Sequence, residues 1–531
     1  MALGAYEAGV FQSLVENLVK NDKDKKRNGF ENEKRLLFDI VAGTSIGAMN
    51  GAIVVSSVTR PGKNPEDEKN WQDSSKKVIE FWRDQQYPWP TLADNLDMNP
   101  LYHYWWDNAQ NGSKLFKHSV TELIEFYSNI NPDLKKWYED MLAFWSIVDP
   151  SILKDSFMNG WYIPATAEAA RRYYSAKQFL RTLGVPNVAT GIVPWSLFGK
   201  FFDFSEKSNY MPRSDNKHVF SFSLKKTLGR FADFPIKTSF EKKEPRLLLV
   251  TVDVKTGDAV TFDSYSEQTK YHDEKMIVHN KNGIEMEHAL ASGTFPDFFD
   301  YPKFNVHNTE MDIENEEHIF WDGGFRSNTP LREVLQSHRD YWLNIAKEKE
   351  PEEHRKKIQG EEYDGRYENV VPDLEIYIAD LWPSELKDDP ISFDRDFVEN
   401  RKWDLILGDK TAYDEQVASV VTDYIDLIKH LKNLAEQKGA SNDEINHILN
   451  SYASSINTKG QKRKYGALLE GRFRITKVVR IDHKDDGNAV HDKIFDYSYK
   501  TIERMIKVGY QDASNQTDEQ SKKVESIKLE H

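Results

Sequence analysis

A chain of 531 residues, 39% of them hydrophobic, can bury a sizeable core, and its net charge of −15 excludes the broad phosphate-binding surface of a general nucleic-acid binder. It contains no cysteine, which excludes a disulfide framework and Cys-based metal sites. No apolar run reaches the roughly 18 residues of a membrane span and no signal-peptide pattern opens the chain, so a cytoplasmic or membrane-peripheral location is expected, with secretion also compatible.

The chain opens on Ala2-Leu3-Gly4-Ala5-Tyr6-Glu7-Ala8-Gly9-Val10 and continues as an amphipathic helix with Val10, Leu14 and Leu18 on one face, followed by a charged loop over 20–34. Next comes the apolar run Leu36-Leu37-Phe38-Asp39-Ile40-Val41-Ala42, which reads as a buried strand. It ends in Gly43-Thr44-Ser45-Ile46-Gly47 and a stretch of small residues, Ala48-Met49-Asn50-Gly51-Ala52-Ile53. Strand, sharp turn and helix with a serine at the apex make a G-x-S-x-G nucleophile elbow. Glycines are needed on either side because the neighbours of so tight a turn can carry no Cβ into the strand or the helix behind it. Ser45 is therefore presented at the helix start, where the Ile46 N–H is the nearest donor for a developing oxyanion. The same five residues also suit an ordinary strand-to-helix turn.

Residues 59–75 read as a linker into an insertion that is rich in aromatics. Nine of the 13 tryptophans, at 71, 82, 89, 105, 106, 137, 145, 161 and 195, fall within it, so it is expected to be a helical subdomain with its own aromatic core. The segment 191–202, with Trp and Phe bracketed by Pro and Gly, also suits a lid at a lipid boundary.

Residues 247–254 predict a buried strand and Thr256-Gly257-Asp258 a hairpin turn. Ala289-Leu290-Ala291-Ser292-Gly293-Thr294-Phe295-Pro296 follows. Then Glu317-His318-Ile319-Phe320 leads into Trp321-Asp322-Gly323-Gly324, an aspartate at a strand end with two glycines that permit close backbone approach, as at the carboxyl edge of a parallel sheet. Alone, Asp-Gly-Gly reads as a plain turn. Residues 347–366 are charged and solvated, 374–379 predict a core strand, and 478–481 a late strand. Val417, Val421, Tyr424, Ile428, Leu431 and Ala435 recur at helical spacing and are expected to pack into a helical pair; 515–531 reads as a disordered polar tail.

In this order and spacing the segments resemble the patatin-like phospholipase family, well over residues 1–58 and 245–335. Phe495-Asp496-Tyr497-Ser498-Tyr499-Lys500-Thr501-Ile502-Glu503 with Gly509-Tyr510 resembles the closing helix of bacterial members. The resemblance implies a three-layer α/β/α sheet with a large helical, Trp-rich insertion. It divides the chain into a core of 1–58 and 241–384, insertions at 59–240 and 385–470, a returning strand and helix at 471–513, and a tail at 514–531.

It also implies a lipid acyl hydrolase without cofactor or metal, acting on phospholipid or other fatty-acyl esters, with peripheral membrane contact and no nucleic-acid partner. Ser45 is the implied nucleophile and Asp322 its general base, with Gly323 and Gly324 as the supporting turn. Gly4, Gly43, Ile46 and Gly47 are the implied oxyanion and elbow residues. A carboxylate with a pKa of about 3.9 is a poor base for a hydroxyl, so this mechanism demands a dry pocket around Asp322. In the family a Gly-Gly-Gly loop ending a first strand builds the oxyanion hole, and this chain begins where the last of those glycines would stand. Two expectations follow: the strand and loop lie upstream of Met1, or the protein is a catalytically silent lipid-binding relative.

The rival mechanism is a Ser-Asp-His triad with His483 or His491, both set among Asp482, Asp485, Asp486 and Asp492 and read as part of a solvated acidic loop. That cluster lacks metal-ligand spacing, and no P-loop is present.

Overall fold

The computed structural model describes residues 3–27, 35–85, 224–265, 277–279, 282–294, 303–305, 317–349, 365–382, 401, 404–456, 462–483, 497 and 499–529. The segments 86–223, 295–296, 484–496 and 498 lie outside them, and with these the expectations for the lid segment, seven of the nine clustered tryptophans and His491.

The chain begins with α1 (Gly4–Arg27), β1 (Ile40–Thr44) and α2 (Ile46–Val58). The first helix runs through 20–27, where a charged loop is expected, because nothing between Lys20 and Arg27 breaks a helix before Gly29. The second reads Ile-Gly-Ala-Met-Asn-Gly-Ala-Ile-Val-Val-Ser-Ser-Val, apolar or small all round, and it is accordingly buried along almost its whole length.

Next, α3 (Glu68–Asp84) starts at Asp67, whose carboxylate accepts the Lys69 N–H. Its Trp71, Phe81 and Trp82 are fully buried among α1 and α2. Two of the clustered tryptophans thus belong to the main core, and the core extends past the boundary expected at residue 58.

The chain continues through α4 (Leu224–Phe231), β2 (Arg246–Asp253), β3 (Ala259–Asp263), β4 (Ile277–His279), α5 (Met286–Ser292), β5 (Lys303–Asn305), β6 (Glu317–Asp322), α6 (Leu331–Glu348) and β7 (Leu374–Asp380). It closes with α7 (Ala412–Gln437), α8 (Asn442–Asn450), β8 (Tyr452–Ile456), β9 (Lys462–Lys464), β10 (Ile475–Asp482) and α9 (Tyr499–Leu529). The last helix carries on through the segment read as a disordered tail, which is polar but holds no Gly or Pro to stop it.

The fold is α/β, a mixed sheet between helical layers. Strands run β4-β3-β2-β6-β5, with β1 also on β2; β7 and β10 form a second parallel pair. Strand β2 is buried at all eight residues. At its start Arg246 lies in a fully enclosed pair with Asp263 and donates to the Ser337 carbonyl of α6 at 2.8 Å, which joins the sheet to that helix. Strands β2 and β3 form the expected hairpin around Gly257, whose φ of +73° is the left-handed conformation that glycine adopts without strain. Among the described residues no helix is long and apolar enough to cross a membrane.

Helix α7 departs from the expected packed pair. Ile425 is buried and Val421, Ile428 and Ala435 are partly covered, while Val417, Tyr424 and Leu431 face solvent.

Candidate active site

Strand β1 pairs in parallel with β2, and its last residue, Thr44, stands opposite Val250. At Ser45 the backbone turns at φ 57°, ψ −117°, a left-handed conformation that costs a non-glycine residue on the order of 1–3 kcal/mol, and α2 starts at the next residue. Such strain at a serine between strand and helix is the signature of a nucleophile elbow. Gly43 permits the turn, since a Cβ there would come within 2.2 Å of the Gly47 carbonyl oxygen. The N–H groups at the head of α2 have no acceptors within the helix, and the dipole favours negative charge beside them. Gly47 itself faces the Glu7 carboxylate, 3.4 Å from where its Cβ would be.

Asp322 arrives from the opposite direction. Strand β6 is antiparallel to β2, pairing Asp322 with Thr251, so β1 and β6 meet end to end on the same edge of β2. The sequence reading placed this aspartate at the carboxyl edge of a parallel sheet; the strand is antiparallel, and it reaches the same point because its end abuts that of β1. Two residues 277 positions apart are thereby brought into contact: Ser45 Oγ donates to Asp322 Oδ2. The other carboxylate oxygen accepts the Gly324 N–H at 2.8 Å. Gly323 allows this approach, because a Cβ there would strike the Val250 carbonyl at 2.3 Å.

Asp322 is 1% exposed. Burial pushes its pKa up to about 6, against the opposing pull of the hydrogen bonds from Ser45 and Gly324. The carboxylate is thus enclosed and largely desolvated.

Further contacts fix the elbow. The Ser45 N–H donates to Ser292 Oγ at 2.9 Å, and that hydroxyl donates to the Val250 carbonyl at 2.5 Å. Thr44 Oγ1 donates to the Ser327 carbonyl at 2.8 Å. Behind α2 lies a network the sequence reading missed. Asn50 Nδ2 donates to Glu7 Oε2 at 2.7 Å and to the Gly4 carbonyl at 3.1 Å, and Asn50 Oδ1 accepts the Trp82 indole N–H at 3.0 Å. Gly4 is thus held at a helix contact through its carbonyl. The network's signal in the sequence was an asparagine among the small and apolar residues that open α2, together with a glutamate in the small-residue run that opens α1. Glu7 is enclosed, and burial raises its pKa to about 7. Replacing Asn50 with alanine leaves a buried carboxyl and a buried indole N–H without their partner, and unfolding in urea is expected to show a loss of about 2–4 kcal/mol.

A cavity of about 470 Å³ opens beside Ser45 and Asp322. It runs under α1, past Val10, Leu14 and Phe38, between the edges of β1 and β7.

The described histidines stand elsewhere. His483 is buried, edge-on to Tyr6 at 4.7 Å and bonded to the Leu381 carbonyl, so it is a packed residue and not part of a solvated acidic loop. His288 is bonded to the Glu285 N–H, His318 to Asp253 and His338 to the Pro372 carbonyl. Among the described residues no group of three or more His, Asp or Glu could hold a metal ion.

A sequence model of the family described as patatin-like phospholipase matches residues 1–335. No curated protein matches. Among solved structures, the crystal structure of VipD from Legionella pneumophila is similar at 12% sequence identity, with 98% of this chain and 65% of that chain covered and a TM-score of 0.25. A superposition that loose positions no residue, and the family assignment rests on the sequence model.

Proposed function

The chain belongs to the patatin-like phospholipase family, and from that premise we propose that it is a lipid acyl hydrolase in which Ser45 and Asp322 form the catalytic dyad. The observation that carries this reading is the hydrogen bond from the strained Ser45 hydroxyl to a buried carboxylate whose pKa is raised to about 6.

Asp322 takes the Ser45 proton as Oγ attacks the ester carbonyl. The oxyanion develops beside the N–H groups of Ile46 and Gly47 at the head of α2. Collapse expels the alcohol, which receives the proton from Asp322, and leaves an acyl-serine. Water then gives a proton to Asp322 as it attacks, and the fatty acid leaves as the serine is reprotonated. The neighbouring cavity, within the range of about 300–1,000 Å³ typical of ligand pockets, receives the acyl chain. Phospholipids and other fatty-acyl esters are the substrates of this reading, met at a membrane or micelle surface.

The test is fatty-acid release from mixed phospholipid–detergent micelles across pH. A carboxylate base must be ionised to work, so kcat/KM is expected to rise tenfold per pH unit below about 6 and to level off above it. A rise centred near 4, or no release at any pH, would count against Asp322 as the base.

A further inference from the structure

Helix α7 carries an apolar seam that the dyad does not use. Val417, Val420, Tyr424, Leu427, Leu431 and Leu434 are spaced 3-4-3-4-3, and each is between 42% and 61% exposed. With Tyr413 one step earlier, this single stripe holds seven of the fourteen exposed large hydrophobic side chains among the described residues. Scattered apolar side chains on a surface need no explanation, whereas a contiguous row of this size marks an interaction site.

The opposite face of the helix is anchored. Ile425 is buried, the Thr422 hydroxyl accepts the Ile475 N–H at 3.4 Å, Glu415 pairs with Arg480 at 2.7 Å, and Lys429 donates to Asn369 at 2.6 Å. The body of the protein therefore holds α7 in helical form with its seam turned outward. A strict 3.5-residue repeat is the pattern of a two-stranded coiled coil rather than of the wider stripe that packs on a globular core.

We propose that this seam is the dimer interface of the protein, occupied by α7 of a second copy in an antiparallel coiled coil. The choice of a second copy rests on self-complementarity. With the two-fold axis beside Ile425 and Asp426, Val417 meets Leu434, Val420 meets Leu431 and Tyr424 meets Leu427 of the other helix, so every layer joins a larger side chain to a smaller or differently shaped one. The parallel register stacks Tyr424 on Tyr424 and Val on Val. Flanking residues agree with the antiparallel choice. Asp423 falls beside His430 of the other copy and Gln416 beside Gln437. A two-fold contact of this kind repeats each pairing twice and closes on itself.

The absence of cysteine from the chain makes the test clean. Sedimentation of the full chain at micromolar concentration is expected to give twice the monomer mass, and Leu427→Glu with Leu431→Glu to give the monomer with unchanged far-ultraviolet dichroism. Under mild oxidation the double variant Val420→Cys, Leu431→Cys is expected to crosslink into a dimer and neither single variant to do so. Three outcomes would overturn the proposal. They are a monomeric parent chain, crosslinking of Val420→Cys alone, which indicates a parallel pair, and a monomer whose binding to neutral lipid vesicles is lost in the glutamate variant, which makes the seam a membrane contact.

Discussion

Replacing Ser45 with alanine is expected to abolish fatty-acid release, by on the order of 10⁴-fold or more, while leaving the fold in place. The size of the effect follows from the role: without the hydroxyl no acyl-enzyme forms, and only the substrate-binding and oxyanion contributions remain. The fold survives because the turn at residue 45 is set by its neighbours. Gly43 makes room for the Gly47 carbonyl, and the backbone N–H of residue 45 keeps its bond to Ser292. Alanine tolerates the left-handed turn no worse than serine does. What is lost is a hydrogen-bond donor to Asp322, whose carboxylate keeps only the Gly324 N–H. Fatty-acid release from mixed phospholipid micelles, with circular dichroism as the control for folding, tests this. Activity that persists in a folded Ser45→Ala variant sinks the dyad.

The elbow could be read in the sequence because its chemistry is local. A glycine on either side of a serine, between an apolar run and a stretch of small residues, admits few backbone geometries. Asp322 was legible only as a strand-end aspartate followed by two glycines. Its direction of entry was hidden, since the pairing of β6 with β2 is a contact between residues about 70 apart that no local pattern encodes. The Glu7, Asn50 and Trp82 network was hidden for a similar reason: each member belongs to a different helix, and burial alone makes their hydrogen bonds matter. The α7 seam misled in the opposite sense. Helical spacing of apolar residues reports a sticky face without saying whether the chain itself covers it, and here the chain covers the other side.

Replacing Asp322 with asparagine separates catalysis from stability, because the two are expected to move in opposite directions. Asparagine keeps the shape and can still hydrogen-bond Ser45 and the Gly324 N–H, but it cannot take a proton, so activity is expected to fall by about 10²–10⁴-fold or more. Stability behaves otherwise. The pKa of Asp322 rises from 3.8 in the unfolded chain to about 6 in the folded protein. Between those values the folded state holds a proton that the unfolded state releases, so stability drawn from this group is complete below pH 4 and is lost as the pH climbs to 6. Above pH 6 the protein carries a buried ionised carboxylate, a burden of roughly 3 kcal/mol at 1.36 kcal/mol per pKa unit. The asparagine variant carries no such charge. Relative to the parent chain it is therefore expected to gain about 2–3 kcal/mol of unfolding free energy between pH 4 and pH 7, while Glu7, common to both, cancels from the difference. Urea denaturation at the two pH values measures this gain. A flat difference would show that Asp322 ionises in the folded protein as it does in water, and a carboxylate of that kind is too weak a base for the serine beside it.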